Sequence, residues 1–275
     1  MKKLWRVPVL LLAAIVSSCS IIEEDRSICP CWYTIDLTEV DRSMQNLHLW
    51  VFNQEGVLLY YDTLQNGAFG KYEMKLDKGK AFCYIWGNLL DGTILENRGN
   101  VNSYFVKAAD CSSDPLFQYN SILDTSGETG IDTVFMNKEF ANVDFTLKGK
   151  LKSREQLELR VDMKTVGRYI HGGYMEGENA VVSSAEFLGE DYSLFKFRIT
   201  RQEHFEQIMA TITALVEGDR YLIKYFPLGE WLISAGYDPM ATNMADITME
   251  LDMALGILSV RTANWQTILP VKIEI

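Results

Sequence analysis

Apolar and polar residues alternate one for one along most of this chain. In QLELRVDM, Leu157, Leu159, Val161 and Met163 fall on one side, while Glu158, Arg160 and Asp162 fall on the other. FKFRIT sets Phe195, Phe197 and Ile199 against Lys196, Arg198 and Thr200, and ITMELDMA does the same with Ile247, Met249, Leu251 and Met253. NVDFTLKG and the terminal PVKIEI follow suit. A period of two marks a strand with one face on a core and one in water. Upstream, WYTIDL, LHLWVFN, VLLYYDTL, YEMKLDKG and AFCYIWGN are rich in aromatic and β-branched residues, and they also predict strands. Polar turns separate them at 53–56, 77–80 and 217–220.

Helical signal is sparse. Phe205, Ile208, Met209 and Ile212 would fit one face of a helix, but ATITALVEGDRYLIKYF reads better as two strands about a turn. PLGEWLISAG, 227–236, predicts a short helix with Pro227 near its start and Gly236 as its stop. Many short strands with regular turn signals indicate β-sandwiches. Residues 88–132 break the rhythm with a Gly/Asn/Ser-rich stretch, and the alternation resumes at Val143, Phe145 and Leu147. The expected division is a first sandwich over 29–134 and a second over 135–275. No internal sequence repeat is visible.

The first residues add an address. Lys2, Lys3 and Arg6 precede an apolar run from Val7 to Val16, too short to cross a bilayer, which takes about 20 residues in a helix. Basic residues, a short apolar run and small residues before a cleavage point form an export signal. Val16-Ser17-Ser18-Cys19 also matches a lipobox, in which the thiol is acylated and becomes the first mature residue; an ordinary signal peptide is the alternative. The expected layout is a signal peptide over 1–18 and a lipidated tether over 19–28. Stable anchoring takes more than one acyl chain, which a multiply acylated Cys19 would supply.

The formal net charge of −11 and the lack of Lys/Arg clusters exclude a nucleic-acid partner. Cys29, Cys31, Cys83 and Cys111 remain once Cys19 carries lipid. An even number in an exported chain suggests disulfides. Bridging Cys29 to Cys31 would strain the ring, so these two pair more readily with Cys83 and Cys111; free buried thiols and a metal site remain alternatives. Catalytic chemistry is hard to find. His48, His171 and His204 are the only histidines, and no nucleophile, phosphate-loop or metal-ligand spacing accompanies them. DTSGETGID has the composition of a calcium loop without its ligand spacing, and reads as a solvated loop. Trp50, Tyr60, Tyr61 and Trp86 could form a sugar-stacking platform, although aromatics in a sandwich more often fill its core. No cofactor is expected beyond the lipid.

Several stretches together resemble the fimbrillin-associated anchor proteins of the type V pilus systems of the Bacteroidota. They are Cys19, IIEEDRSICPCWYTIDL (21–37), LHLWVFNQEGVLL (47–59), FMNKEFANVDFTLKG (135–149) and ADITMELDMALGILSVRTANWQ (245–266), with Trp265 near its end. Residues 88–132 carry no element that aligns. The resemblance implies an all-β fold of two tandem transthyretin-like, antiparallel Greek-key sandwiches. It implies a non-catalytic lipoprotein on the outer face of the outer membrane that holds a pilus and helps set its length. Its partners would be fimbrillin subunits met by strand pairing. The acids after Cys19 resemble the surface-export signal of such lipoproteins, and Cys29 and Cys31 would fasten the first strand if bridged. A pilus tip or minor adhesin subunit and a surface glycan-binding lipoprotein are the alternatives.

Overall fold

Alternation becomes strand nearly everywhere it was expected. The computed structural model describes residues 29–97, 99–107, 113–149 and 156–271. Cys19, the signal peptide, the acidic tether and Cys111 therefore lie outside the described residues, as do 272–275.

The first sandwich faces two sheets across a core. One holds β1 (Cys31–Asp36) between antiparallel β4 (Lys71–Leu76) and parallel β9 (Thr129–Thr133). The other runs β10 (Asn137–Lys138), β8 (Phe117–Asp124), β5 (Lys80–Gly87), β2 (Asn46–Asn53) and β3 (Leu58–Gln65). Ile35, Leu37, Leu47, Leu49, Val51, Met74, Ile85 and Leu123 fill the space between them.

The second sandwich repeats this plan. β11 (Phe140–Lys148) lies between antiparallel β15 (Tyr192–Thr200) and parallel β18 (Ile247–Asp252). Facing it, β12 (Gln156–Tyr169) lies between β13 (Tyr174–Ser184) and β16 (Met209–Val216), and β16 continues to β17 (Asp219–Phe226). Strand for strand, β1-β2-β3-β4-β5-β8-β9 corresponds to β11-β12-β13-β15-β16-β17-β18. The duplication escapes the sequence because only residue parity is shared.

Two additions distinguish the copies. In the second, β19 (Ile257–Arg261) and β20 (Gln266–Pro270) extend the sheet beyond β18, and β14 (Glu186–Phe187) covers β15. In the first, β6 (Thr93–Glu96) and β7 (Tyr104–Lys107) are inserted where the second copy has only the Glu217–Gly218 turn. Residues 88–132 were expected to break the strand pattern, yet they hold β6, β7, β8 and β9. Part of the DTSGETGID stretch, read as a solvated loop, is β9 itself. These strands are short and interrupted by Gly and Asn, so pairing with distant partners makes them strands rather than local propensity.

The insertion joins the two halves. β7 pairs with the last residues of β12, Tyr104 opposite Tyr169 and Phe105 opposite Arg168, so β6 and β7 extend the second sandwich's sheet. Gly167 permits that approach, since a Cβ there would lie 2.3 Å from the Phe105 carbonyl oxygen. Helix Leu228–Ser234 forms where it was expected, from Pro227 to the left-handed Gly236. Residues 209–216 are strand, preceded by a 3-10 turn at Phe205–Gln207.

Candidate functional site

Two regions carry more than ordinary sandwich packing: the junction between the sandwiches and the outer face of the β4-β1-β9 sheet. At the junction, β2 is buried on both faces. Leu47, Leu49 and Val51 enter the first core, whereas Trp50 and Phe52 enter a second cluster with Trp86, Leu89, Phe105, Leu116 and Ile170. Trp86 packs edge-on against Phe105 with ring centroids 4.7 Å apart, and its Nε1 donates to the Ile170 carbonyl at 2.7 Å. This bond crosses from one sandwich to the other.

Beside it lies a buried ion cluster. The Glu139 carboxylate accepts hydrogen bonds from Arg168 Nη1 at 3.1 Å and Arg201 Nε at 3.0 Å. All three residues are less than a tenth exposed. Arg201 also donates to the carbonyls of Pro239 and Ala241, tying the loop before β18 to the cluster. The Arg168 guanidinium donates to the Gly172 carbonyl and lies over the Tyr174 ring, 4.2 Å from its centroid. Burial pushes the Arg168 pKa down, and the Glu139 charge opposes that shift. A small void of about 30 Å³, bordered by Thr93, Asp114, Arg168 and Arg201, adjoins the cluster. That is room for ordered water rather than for a substrate.

The outer face of the β4-β1-β9 sheet is open. Trp32 is 59% exposed and Ile131 60%; with Thr34, Glu73 and Thr129 they border a surface groove of about 610 Å³. Lys75 Nζ sits 5.7 Å from the Trp32 ring centroid. On the inner face Tyr33 lies against Gly130, where a Cβ would come within 2.3 Å of the ring. Burial and nearby negative groups, Asp132 first among them, push the Tyr33 hydroxyl up to about 12.

The residues singled out in the sequence scatter. Trp50 and Trp86 are fully buried, and Tyr60 and Tyr61 are half-buried, so these four form no exposed platform. Among the described residues the exposed tryptophan is Trp32, which the sequence reading did not select. Its outward parity within WYTIDL was the available signal. Cys31 and Cys83 both enter the first core, from facing sheets, and Cys29 is exposed. All three are free thiols in the structure, and any pairing with Cys111 lies outside the described residues. Burial raises the thiol pKa of Cys31 and Cys83. His48 lies beside Tyr61, Nδ1 to hydroxyl 3.1 Å, and stacks on Trp50. His171 stacks on Tyr169.

Among the described residues, one group of possible metal ligands comes together: Glu176, Glu203 and His204, with ligand atoms within 4.8 Å of one another. All three are exposed, and His204 already faces Glu206 at 3.4 Å. No described helix is long and apolar enough to cross a membrane.

No protein-family model matches the sequence, and no curated protein does. Solved structures do match. The fimbrial anchor protein Mfa2 from Porphyromonas gingivalis superposes with a TM-score of 0.65 at 13% identity, over 86% of this chain and 99% of that one. A protein from Bacteroides thetaiotaomicron named as a candidate polysaccharide-binding protein gives 0.67 at 10% identity, over 87% and 98%. A candidate adhesin from the same species gives 0.63 at 12% identity, over 86% and 96%. The names are those of anchor, binding and adhesion proteins. At such identities the likeness establishes a shared two-sandwich fold.

Proposed function

We infer that this chain is a non-catalytic lipoprotein of the outer membrane, held by acylated Cys19, that anchors a fimbria at the cell surface and meets fimbrillin subunits by strand pairing. The observation that carries this reading is the position of β1. An anchor must hold against a pull delivered through its tether, and β1 is the first strand that follows the tether in the sequence. That strand lies in the middle of its sheet, with six residues paired to β4 and five to β9. Cys31, Tyr33 and Ile35 also fix it in the core. A pull along β1 would load both ladders together instead of peeling an edge. The junction then carries the load into the second sandwich through the β7–β12 pairing, the Trp86–Ile170 bond and the Glu139 cluster. The shared fold of the Porphyromonas gingivalis anchor supports the same reading. The buried Trp50 and Trp86 weigh against the glycan-binding alternative in the form the sequence suggested.

The reading has a direct chemical test. Cells fed an alkyne-bearing palmitate analogue are expected to label the native chain in the membrane fraction. Cys19→Ala is expected to lose the label and leave that fraction. A Cys19→Ala chain that stayed labelled and membrane-bound would overturn the lipid anchor.

A further inference from the structure

The duplicated topology exposes one difference with a physical consequence. In the second sandwich the parallel strand β18 is covered on its outer side by β19, with Met249 opposite Val260 and Leu251 opposite Leu258. The equivalent strand of the first sandwich, β9, has no neighbour on that side among the described residues. Trp32 N–H bonds the Glu128 carbonyl, and Val134 N–H bonds the Asp36 carbonyl. In a parallel ladder those bonds turn Gly130 and Asp132 toward β1, so the N–H and C=O groups of Thr129, Ile131 and Thr133 point outward.

Three other edges of the molecule are guarded, as edges usually are. β4 carries Lys71, Glu73 and Lys75, and the Tyr60 hydroxyl donates to the Lys75 carbonyl at 2.8 Å and accepts from the Lys75 N–H at 3.3 Å. β17 carries Asp219, Arg220 and Lys224, and β20 ends on Pro270. β9 has no lysine, proline or bulge. Its outward side chains are Thr129, Ile131 and Thr133, the middle one apolar and beside the groove at Trp32.

We propose that the outer edge of β9 is the docking site for one extended strand of another protein chain, running antiparallel to Thr129–Thr133. This rests on the fimbrial reading above and names the surface through which the partner is met. The strand's chemistry follows from β19, which occupies the equivalent edge: five residues, ILSVR, uncharged except at one end, with Leu258 and Val260 buried at alternate positions. A partner strand would use the same alternation, with apolar residues on the core side beside Gly130 and Asp132 and uncharged residues on the face it shares with Ile131. Main-chain bonds would supply the affinity, and the alternating side chains would supply register.

The test uses the full-length chain in the cells that make it, with a photo-crosslinking benzophenone residue at position 129. Irradiation is expected to give an adduct to a second protein, mapped by mass spectrometry to an extended segment. Ile131→Pro removes an N–H that the native fold does not use, so folding should persist while strand addition is blocked. Adduct yield should fall about tenfold or more, as it would for about 1.4 kcal/mol of lost affinity. The same variant should keep its thermal midpoint and its Cys19 label. Undiminished yield with Ile131→Pro would overturn the proposal, as would an adduct confined to the same chain or no adduct at all. The anchor reading stands or falls separately, on palmitate labelling and pilus attachment.

Discussion

Glu139→Ala is expected to destabilise the protein by about 3–5 kcal/mol, the usual cost of removing one partner from a buried ion pair. Arg168 and Arg201 would then face each other with no carboxylate between them, both buried and both charged. Each keeps backbone acceptors, but none of these neutralises its charge. Glu139→Gln should fall between the two, because the amide oxygen still accepts a hydrogen bond. Urea denaturation followed by circular dichroism measures the difference. Because the cluster ties β10, β12 and the loop before β18 together, the loss should also appear as faster amide exchange in residues 237–244. A Glu139→Ala protein as stable as the native one would show that the cluster does not hold the junction.

Trp86→Ala should cost a comparable amount, about 3–5 kcal/mol for a buried aromatic truncated in a core. The indole is fully buried, packs on Phe105 and bonds the Ile170 carbonyl, so its removal leaves a cavity and an unsatisfied acceptor at the junction. The expected sign of a junction role is qualitative. Scanning calorimetry of the native chain should give one transition, and that of Trp86→Ala should split into two as the sandwiches uncouple. Trp32→Ala is the internal control. Its side chain is 59% exposed, and the change should remain within about 0.5 kcal/mol of native stability. Equal losses at both tryptophans would contradict the assignment of one to the junction and the other to the surface.

Strands with one wet face were legible from parity alone, which is why β11, β12, β15 and β18 emerge directly from the pattern. β2 announced itself differently. LHLWVF is almost continuously apolar because both of its faces are buried, one by each core. The insertion was not legible. TILE and YFVK are too short and too mixed to be read as strands, and they become so only by pairing with each other and with the end of β12. The ion cluster left a clue that went unused. Ala141, Val143, Phe145 and Leu147 face inward on β11, and Glu139 continues that parity; Phe195, Phe197 and Ile199 face inward on β15, and Arg201 continues theirs. A charged residue on the apolar side of two strands that pair antiparallel is a sequence signal for a buried ion pair. Arg168 left no such clue, because register shifts at Thr165 and Gly167 break the parity of β12. The β9 edge was hidden as well, since TGIDT within an acidic, glycine-rich stretch reads as loop until β1 is seen beside it.

The role proposed for this chain is to fasten a fimbria to the cell. The most direct measurement is the partition of assembled fimbriae between cells and medium, by electron microscopy and quantitative blotting, after deletion of the chain and after restoring either the native form or Cys19→Ala. Fimbriae are expected in the medium of the deletion strain, reattached to cells by the native chain and still shed with Cys19→Ala. Fimbriae of normal number and length that remain on deletion cells would contradict that role.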